Sequence, residues 1–546
     1  MCDRSSFQLL FRSHAIHLIL LVFALLACHF ATGYASEPFF NNDESRHTMT
    51  GVFVRDALRD FPDSFRNPKA YAETYYVRYP ALGLLVWPPL FYGIEGLAMS
   101  VFGPSFAVGR ALVAVFGLLV FVYSYRFARL TEDHVGGLFV AGFVGLSPVI
   151  FLLSQRVMLE VPALALALVS IVHFEKHLRD HRTRDAVLAC LFAAFCALTR
   201  FDGVFLVPYF ALRLLTTRNL RLVVTRPVVY SAFAALLLTL PYYLVTYLEY
   251  GSGLSAGAND GFTAEARGPL HRQNWLFYPR ALPELIGGFA TVFVVAGAMF
   301  AMVSPRRLGP ALAWIAAVYF TFSPLAELDT RHSLYWVPAL ALLAWRGLAF
   351  VRRRSPRLAL ALGLLLTFGM GYDTDSQAFR YVRGYDDAAK FVVEHNVDGR
   401  PLFIDGELTG TFIYQVRLND PDRRCSVLRG DKLLYSMLSD PNSNYQQHAF
   451  TEADVLTLLH EYDPEWIVVE EPQPTFHNVP GAALLRTTLK NHPEQFRLET
   501  SVPIRSNYDH FDGCSLAIYR KFARNPVPRN GPSIRVPGLG RSLQGE

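Results

Sequence analysis

Two adjacent acids and an arginine, Asp43, Glu44 and Arg46 in the stretch NNDESRHT, stand just beyond the first long apolar run of the chain. A carboxylate there is either a solvated loop charge or a proton acceptor. Further on, arginine recurs beside acids in three short turns between apolar runs. These are Arg156 and Glu160 in SQRVMLE, Arg200 and Asp202 in LTRFDG, and Glu327, Asp329 and Arg331 in LAELDTRH. Guanidinium pairs bidentately with phosphate, keeps its charge and tolerates partial burial. Ionisable groups at a membrane boundary are expensive unless paired or lining a wet cavity. Carboxylates and arginines gathered at one boundary therefore suit a lipid-borne anionic substrate. The chemistry they could run is glycosyl transfer from a polyprenyl phosphate: a carboxylate takes the acceptor hydroxyl proton, and arginines neutralise the departing phosphate. The chain has no Gly-rich nucleotide-binding loop, and a lipid-linked donor would require none.

The elements that must position these residues are set by composition. Of 546 residues, 52% are hydrophobic and 18% charged, where a soluble protein carries about a quarter charged. Apolar runs of roughly 18 residues, each long enough to cross a hydrocarbon core of about 30 Å, recur from Ala15 to Tyr372. Basic clusters mark cytoplasmic loops. Placing Arg4/Arg12, Arg126/Arg129, Lys176–Arg184, Arg213–Arg226, Arg306/Arg307 and Arg352–Arg357 inside requires that one early apolar stretch not cross. LLVWPPLFYGIEGLAMSVFG, with its Pro pair, Glu95 and glycines, is the weakest candidate and is expected to lie in the outer interface. The remainder gives about 11 transmembrane helices, at 15–35, 106–125, 135–153, 159–175, 185–199, 203–217, 227–248, 284–303, 308–325, 333–350 and 357–372. The first is expected to be a retained signal anchor, since its apolar run exceeds that of a cleaved signal. The expected fold class is thus a polytopic α-helical membrane protein with a C-terminal α/β soluble domain. Its parts are a transmembrane body, 1–372, with a long first outer loop, 36–105; an outer α/β domain, 373–524; and a disordered tail, 525–546. The expected location is the plasma (inner) membrane, multi-pass, with the charged turns and the C-terminal domain on the periplasmic or extracytoplasmic side.

The ordered motifs resemble membrane glycosyltransferases of the GT-C fold, in the bacterial branch of aminoarabinose–lipid A transferases and relatives of the dolichyl-phosphate-mannose–protein mannosyltransferases. NDESRH resembles the branch's acidic first-loop motif. WPPLFYGIEGLAMSVFGPSFAVGRALVAVFGLL resembles its interfacial helix, Phe-Gly turn and Arg-started second span. SQRVMLEVPALAL, LTRFDGVFLVP, HRQNWLFYPRALP and DTRHSLYWVPALALLA resemble later turns, in order over about residues 15–372. The resemblance implies an inverting transfer. Asp43 would be the general base, flanked by Glu44 and Arg46. Arg200 would be the first contact of the donor phosphate, followed by Arg331 and Arg156, and Glu160 and His271 would position substrate. Many relatives carry Lys or His where Trp87 stands, so a phosphate contact would come from elsewhere, for example Arg78. Val86 replaces a Glu that in some relatives joins the loop His in holding a metal. No metal or other cofactor is therefore expected, and these residues do not support a divalent cation.

The expected partners are a polyprenyl-phosphate-sugar donor, a lipid, glycan or protein acceptor, and membrane lipids, but no nucleic acid, because the net charge of +5 is dispersed over short loops. The C-terminal domain alternates strand-like PLFID, TFIYQVR, CSVLRG, EWIVVE and SLAIYR with helix-like YDDAAKFVVEHN and EADVLTLLHEY. Its two cysteines, Cys425 and Cys514, each open a strand-like run, so a disulfide on neighbouring strands is weighed against two buried thiols. The competing reading of the whole chain is a multispanning transporter or lipid flippase. It accounts for the spans but not for the acidic first loop or the outer domain, and the chain shows no internal repeats.

Overall fold

The fold is that of a computed structural model, which describes residues 15–27, 38–83, 87–260, 268–301, 305–325, 328–376, 379–436, 445–472, 479–522, 533–536 and 541–544. Each apolar run expected to span carries helix in its described part. Four helices are long and apolar enough to cross a membrane among the described residues: Phe106–Ala128, Glu160–Asp180, Arg226–Leu248 and Thr330–Arg354. The others are shorter or interrupted. His134–Gly145 and Pro148–Leu153, for example, are separate helices because Pro148 opens a new one. The Glu160–Asp180 helix lies at the centre and is buried on nearly all sides. It packs between Thr183–Ala197 and Phe106–Ala128. Gly288–Ala301 and Val337–Arg354 come into close contact where Gly297 faces Gly347. A Cβ on Gly297 would overlap the backbone of Leu343, the small-residue contact that lets membrane helices approach.

The segment expected to form the first outer loop is largely helical in its described parts. Asn41 caps the Asn42–Arg59 helix by accepting from Glu44 N at 2.8 Å, and Asp43 and Glu44 occupy its first turn, where the helix dipole favours acids. The Leu90–Phe102 helix has 13 residues, about 20 Å at 1.5 Å per residue, too short to cross a bilayer on its own. It buries Phe91, Tyr92, Glu95 and Met99 against the Asn42–Arg59 helix and exposes Leu97, Val101 and Phe102.

In the C-terminal domain a five-stranded sheet runs in the order Val427–Arg429, Leu402–Asp405, Trp466–Glu471, Ser515–Lys521, Phe496–Pro503. The first three strands are parallel and the last two antiparallel to their neighbours. Tyr385–His395 and Glu452–Glu461 are helices, as their patterns indicate. TFIYQVR is not a strand but part of the Thr409–Asn419 helix. Its aromatic and β-branched residues favour strand locally, but the segment is covered from several sides, and packing overrides propensity. Cys425 and Cys514 are both free. They precede strands separated by two others in the sheet. Because Ser515–Lys521 runs antiparallel, its start also lies at the opposite sheet end from the start of Val427–Arg429. The tail expected to be disordered pairs Ser533–Val536 with Arg541–Gln544 as an antiparallel hairpin. Both segments are free of Pro and Gly, which is compatible with a ladder.

Candidate active site

The first turn of the Asn42–Arg59 helix sends its two acids in different directions. Glu44 is fully buried. Its Oε1 accepts from Arg110 Nε at 2.8 Å and from Val157 N at 3.2 Å. It therefore fastens this helix to Phe106–Ala128 and to the turn before Glu160. Asp43 keeps a third of its side chain exposed and opens onto a cavity of about 410 Å³ with Asn41, Asn42, Arg156 and Arg331, walled by Leu153 and Met158. Arg331 Nη1 donates to Asp43 Oδ2 at 3.2 Å, and Arg46 Nη1 lies 3.6 Å from Oδ1. Burial alone would raise the Asp43 carboxyl, but Arg46 and Arg331 outweigh it and hold it near 2. One turn on, burial pushes His47 down to about 3, so its ring is neutral, hydrogen-bonded through Nδ1 to the Tyr92 hydroxyl at 2.7 Å.

The arginines differ in what already engages them. Arg200 is buried, with Nη1 3.0 Å from Glu160 Oε1 and Nε donating to Asp202 Oδ2. Its guanidinium lies over the Trp87 ring, 5.0 Å from the centroid, so the residue that departs from the family pattern covers Arg200. Arg331 is partly exposed. Besides Asp43 it reaches Glu160 Oε1 at 3.5 Å, and its Nε donates to Asp329 Oδ2 at 2.6 Å. Arg156 has no carboxylate within ion-pair distance among the described residues. It sits over the rings of Phe40 and Phe379, at 5.1 and 5.3 Å, and its Nε is buried without a hydrogen-bond partner.

The structure thus brings Asp43, Arg46, Arg156, Glu160, Arg200 and Arg331 into one cluster. Arg78 is not part of it: its Nη1 donates to Arg423 O at 2.9 Å in a second cavity, of about 300 Å³, beyond the other end of the Asn42–Arg59 helix. His271 is exposed and caps the Arg272–Arg280 helix, accepting from Gln273 N at 3.3 Å. Val86 and Glu327 lie outside the described residues. Among the described residues no group of three or more His, Cys, Asp or Glu is placed to hold a metal ion.

Residues 87–244 match the profile of the dolichyl-phosphate-mannose-protein mannosyltransferase family. No curated protein sequence is significantly similar to the chain. Among solved structures, ArnT from Cupriavidus metallidurans in the apo state superposes with a TM-score of 0.58 at 15% identity, over 93% of this chain and 99% of that one. The same protein bound to undecaprenyl phosphate gives 0.56 at 14% identity, with the same coverage. This chain is an integral, multi-pass membrane protein of the GT-C fold. The archaeal oligosaccharyltransferase AglB from Archaeoglobus fulgidus, in complex with an inhibitory peptide and a dolichol-phosphate, shares the fold at a TM-score of 0.54 and 12% identity, over 84% of this chain and 69% of that one.

Asn42, Phe40 and Phe379 are cavity or cluster residues not singled out by their sequence pattern. Asn42 abuts the acidic pair. Phe40 and Phe379 carry no signal, because they meet only through the fold.

Proposed function

We propose that this protein is an inverting glycosyltransferase that moves a sugar from a polyprenyl-phosphate donor to an acceptor hydroxyl on the outer face of the membrane. The observation that supports this most directly is the cavity in which a carboxylate, Asp43, faces Arg331 and Arg156, which has no ion-pair partner among the described residues. In one displacement the acceptor oxygen attacks the anomeric carbon, the bond from that carbon to the phosphate oxygen breaks, and the phosphate leaves with the electron pair. The acceptor proton passes to Asp43. Arg331 and Arg156 meet the charge that builds on the phosphate. Arg200, already balanced by Glu160 and Asp202, holds those acids in place from behind, while Glu160 positions Arg331.

A carboxyl held near 2 is a weak base. A donor phosphate that draws Arg331 Nη1 away from Asp43 would weaken the contact that lowers it, so donor binding and base strength rise together. The test is the release of polyprenyl phosphate from a polyprenyl-phosphate-linked sugar by the purified full chain, with the anomeric configuration of the product read by NMR. Release with inverted configuration is expected. Absence of release across mannosyl, glucosyl and aminoarabinosyl donors, or retained configuration, overturns the proposal.

A further inference from the structure

The residue beside the proposed base does not belong to the membrane body alone. Asn42 Nδ2 donates to Glu407 O at 2.6 Å, and Gly410 N donates to Asn42 Oδ1 at 2.9 Å. Glu407 lies in the turn that joins the Leu402–Asp405 strand to the Thr409–Asn419 helix of the C-terminal domain, and Gly410 lies in the first turn of that helix. One side chain therefore gives a proton to a carbonyl and takes one from an N–H, which a carboxamide can do and a carboxylate cannot. The approach is close: a Cβ on Gly410 would stand 2.5 Å from Ser45 Oγ and 3.0 Å from Asn42 Oδ1.

The turn is itself held from within its domain. Glu407 N donates to Glu470 Oε2 at 2.8 Å, Leu408 N to the Tyr385 hydroxyl at 3.2 Å, and His510 Nε2 lies 2.6 Å from Glu407 Oε2. Farther along the same two helices Arg417 donates to Asp56 Oδ2 from Nε at 2.9 Å and from Nη2 at 2.7 Å, and both residues are buried. Asn42 and Asp56 are about 20 Å apart along the helix axis at 1.5 Å per residue. The Asn42–Arg59 helix is thus tied to the C-terminal domain near both ends, and its first tie is one residue from Asp43.

We propose that Asn42 is a positioning residue through which the C-terminal domain fixes the rotation and depth of Asp43 relative to Arg331. The inference rests on the assignment of Asp43 as general base, and it makes the C-terminal domain a working part of the site. Displacing a reacting group by about 1 Å can lower the rate about 10²-fold, so the clamp acts on kcat. Donor affinity, carried by Arg156 and Arg331, is left nearly unchanged.

The test uses the full chain in detergent or vesicles, with polyprenyl-phosphate release as the readout and five variants: Asn42→Ala, Asn42→Asp, Gly410→Ala, Asp43→Asn and Asp60→Asn. Asp60 pairs with Arg423 across the same interdomain contact, far from Asp43, so Asp60→Asn loosens the interface without reaching the site. Asn42→Ala and Gly410→Ala are expected to lower kcat about 10- to 100-fold with donor KM within about twofold, and to move the acid limb of the kcat/KM profile to higher pH as Asp43 leaves Arg331. Asn42→Asp, which keeps the acceptor for Gly410 N, is expected to fall between Asn42→Ala and wild type. Asp60→Asn is expected to lower thermal stability and leave kcat at the wild-type value. Wild-type kcat in Asn42→Ala, or an equal loss in Asp60→Asn, overturns the clamp while an inactive Asp43→Asn leaves the base assignment standing. A fully active Asp43→Asn overturns both.

Discussion

Arg331 Nη1 lies 3.2 Å from Asp43 Oδ2, although the two residues are 288 positions apart in the chain. The contact closes the first turn of the Asn42–Arg59 helix onto the turn before the Val337–Arg354 helix, and Glu160 joins it from a third element. It also sets the charge state of the proposed base, because Arg46 and Arg331 together overcome the effect of burial on Asp43. Asp43→Asn is expected to fold and to lose about 10²–10⁴ in rate, the usual cost of removing a positioned base. With the folded carboxyl near 2, Asp43 is ionised throughout the neutral range, so no acid limb from this group is expected above about pH 4. Arg331→Gln should bring such a limb upward, and a kcat/KM profile from pH 3 to 8 checks both statements.

Arg200 and Arg156 should separate cleanly when each is removed. Arg200→Ala removes the arginine that pairs with buried Asp202 and Glu160, leaving Glu160 only its 3.5 Å contact to Arg331, and breaking a buried pair on one side costs about 3–5 kcal/mol. A large drop in thermal stability is expected. Arg156→Ala removes a guanidinium that pairs with no carboxylate among the described residues, so stability should change by about 1 kcal/mol or less while donor binding weakens markedly. Thermal melts together with donor titration distinguish the two. Glu44→Gln belongs with Arg200, since it disturbs the pair with buried Arg110.

These contrasts mark how far the sequence could be read. The acidic pair was legible because two acids at a helix start beyond an apolar run are unusual. The division between Asp43 and Glu44 was not, because one residue step turns a helix by about 100°, and only the packed neighbours decide which acid is buried. Arg156, Arg200 and Arg331 were visible as boundary charges. The pairing of Arg200 with Asp202 lies within one turn, but that Glu160 completes the balance depends on this turn meeting the start of the Glu160–Asp180 helix. Four of the five sheet strands followed their apolar runs, the strand Phe496–Pro503 was not expected, and the Thr409–Asn419 helix contradicted its own propensity because it is wedged against the Asn42–Arg59 helix.

Glu470 gives the C-terminal domain a pH dependence whose sign can be stated. Burial raises its carboxyl from 4.5 to about 7, although Glu407 N and the Tyr385 hydroxyl donate to it and pull the other way. The folded protein therefore binds this proton more tightly than the unfolded chain. Its contribution is fully present below about pH 4.5 and is lost as pH rises through about 7, on the order of 3 kcal/mol in all. Glu470→Gln should flatten that part of the profile. Melting temperatures of both proteins between pH 4 and 8 test it, and identical slopes would refute the assignment.

One helix predicts the orientation. Glu160–Asp180 begins at the Arg200–Arg331 cluster and ends at the basic turn of Arg179, Arg182 and Arg184. Its 21 residues span about 30 Å, the thickness of a hydrocarbon core, so the site and the basic turn lie on opposite faces. Short basic loops stay in the cytoplasm, which predicts that the cavity and the C-terminal domain tied to Asn42 face outward together. In a cysteine-free background, single cysteines at Pro104 and at exposed Val397 should take an impermeant thiol label from intact cells. A cysteine at Arg182 should take it only after permeabilisation. Labelling of position 182 in intact cells, with 104 and 397 protected, would invert the assignment and place donor, acceptor and base on the cytoplasmic side.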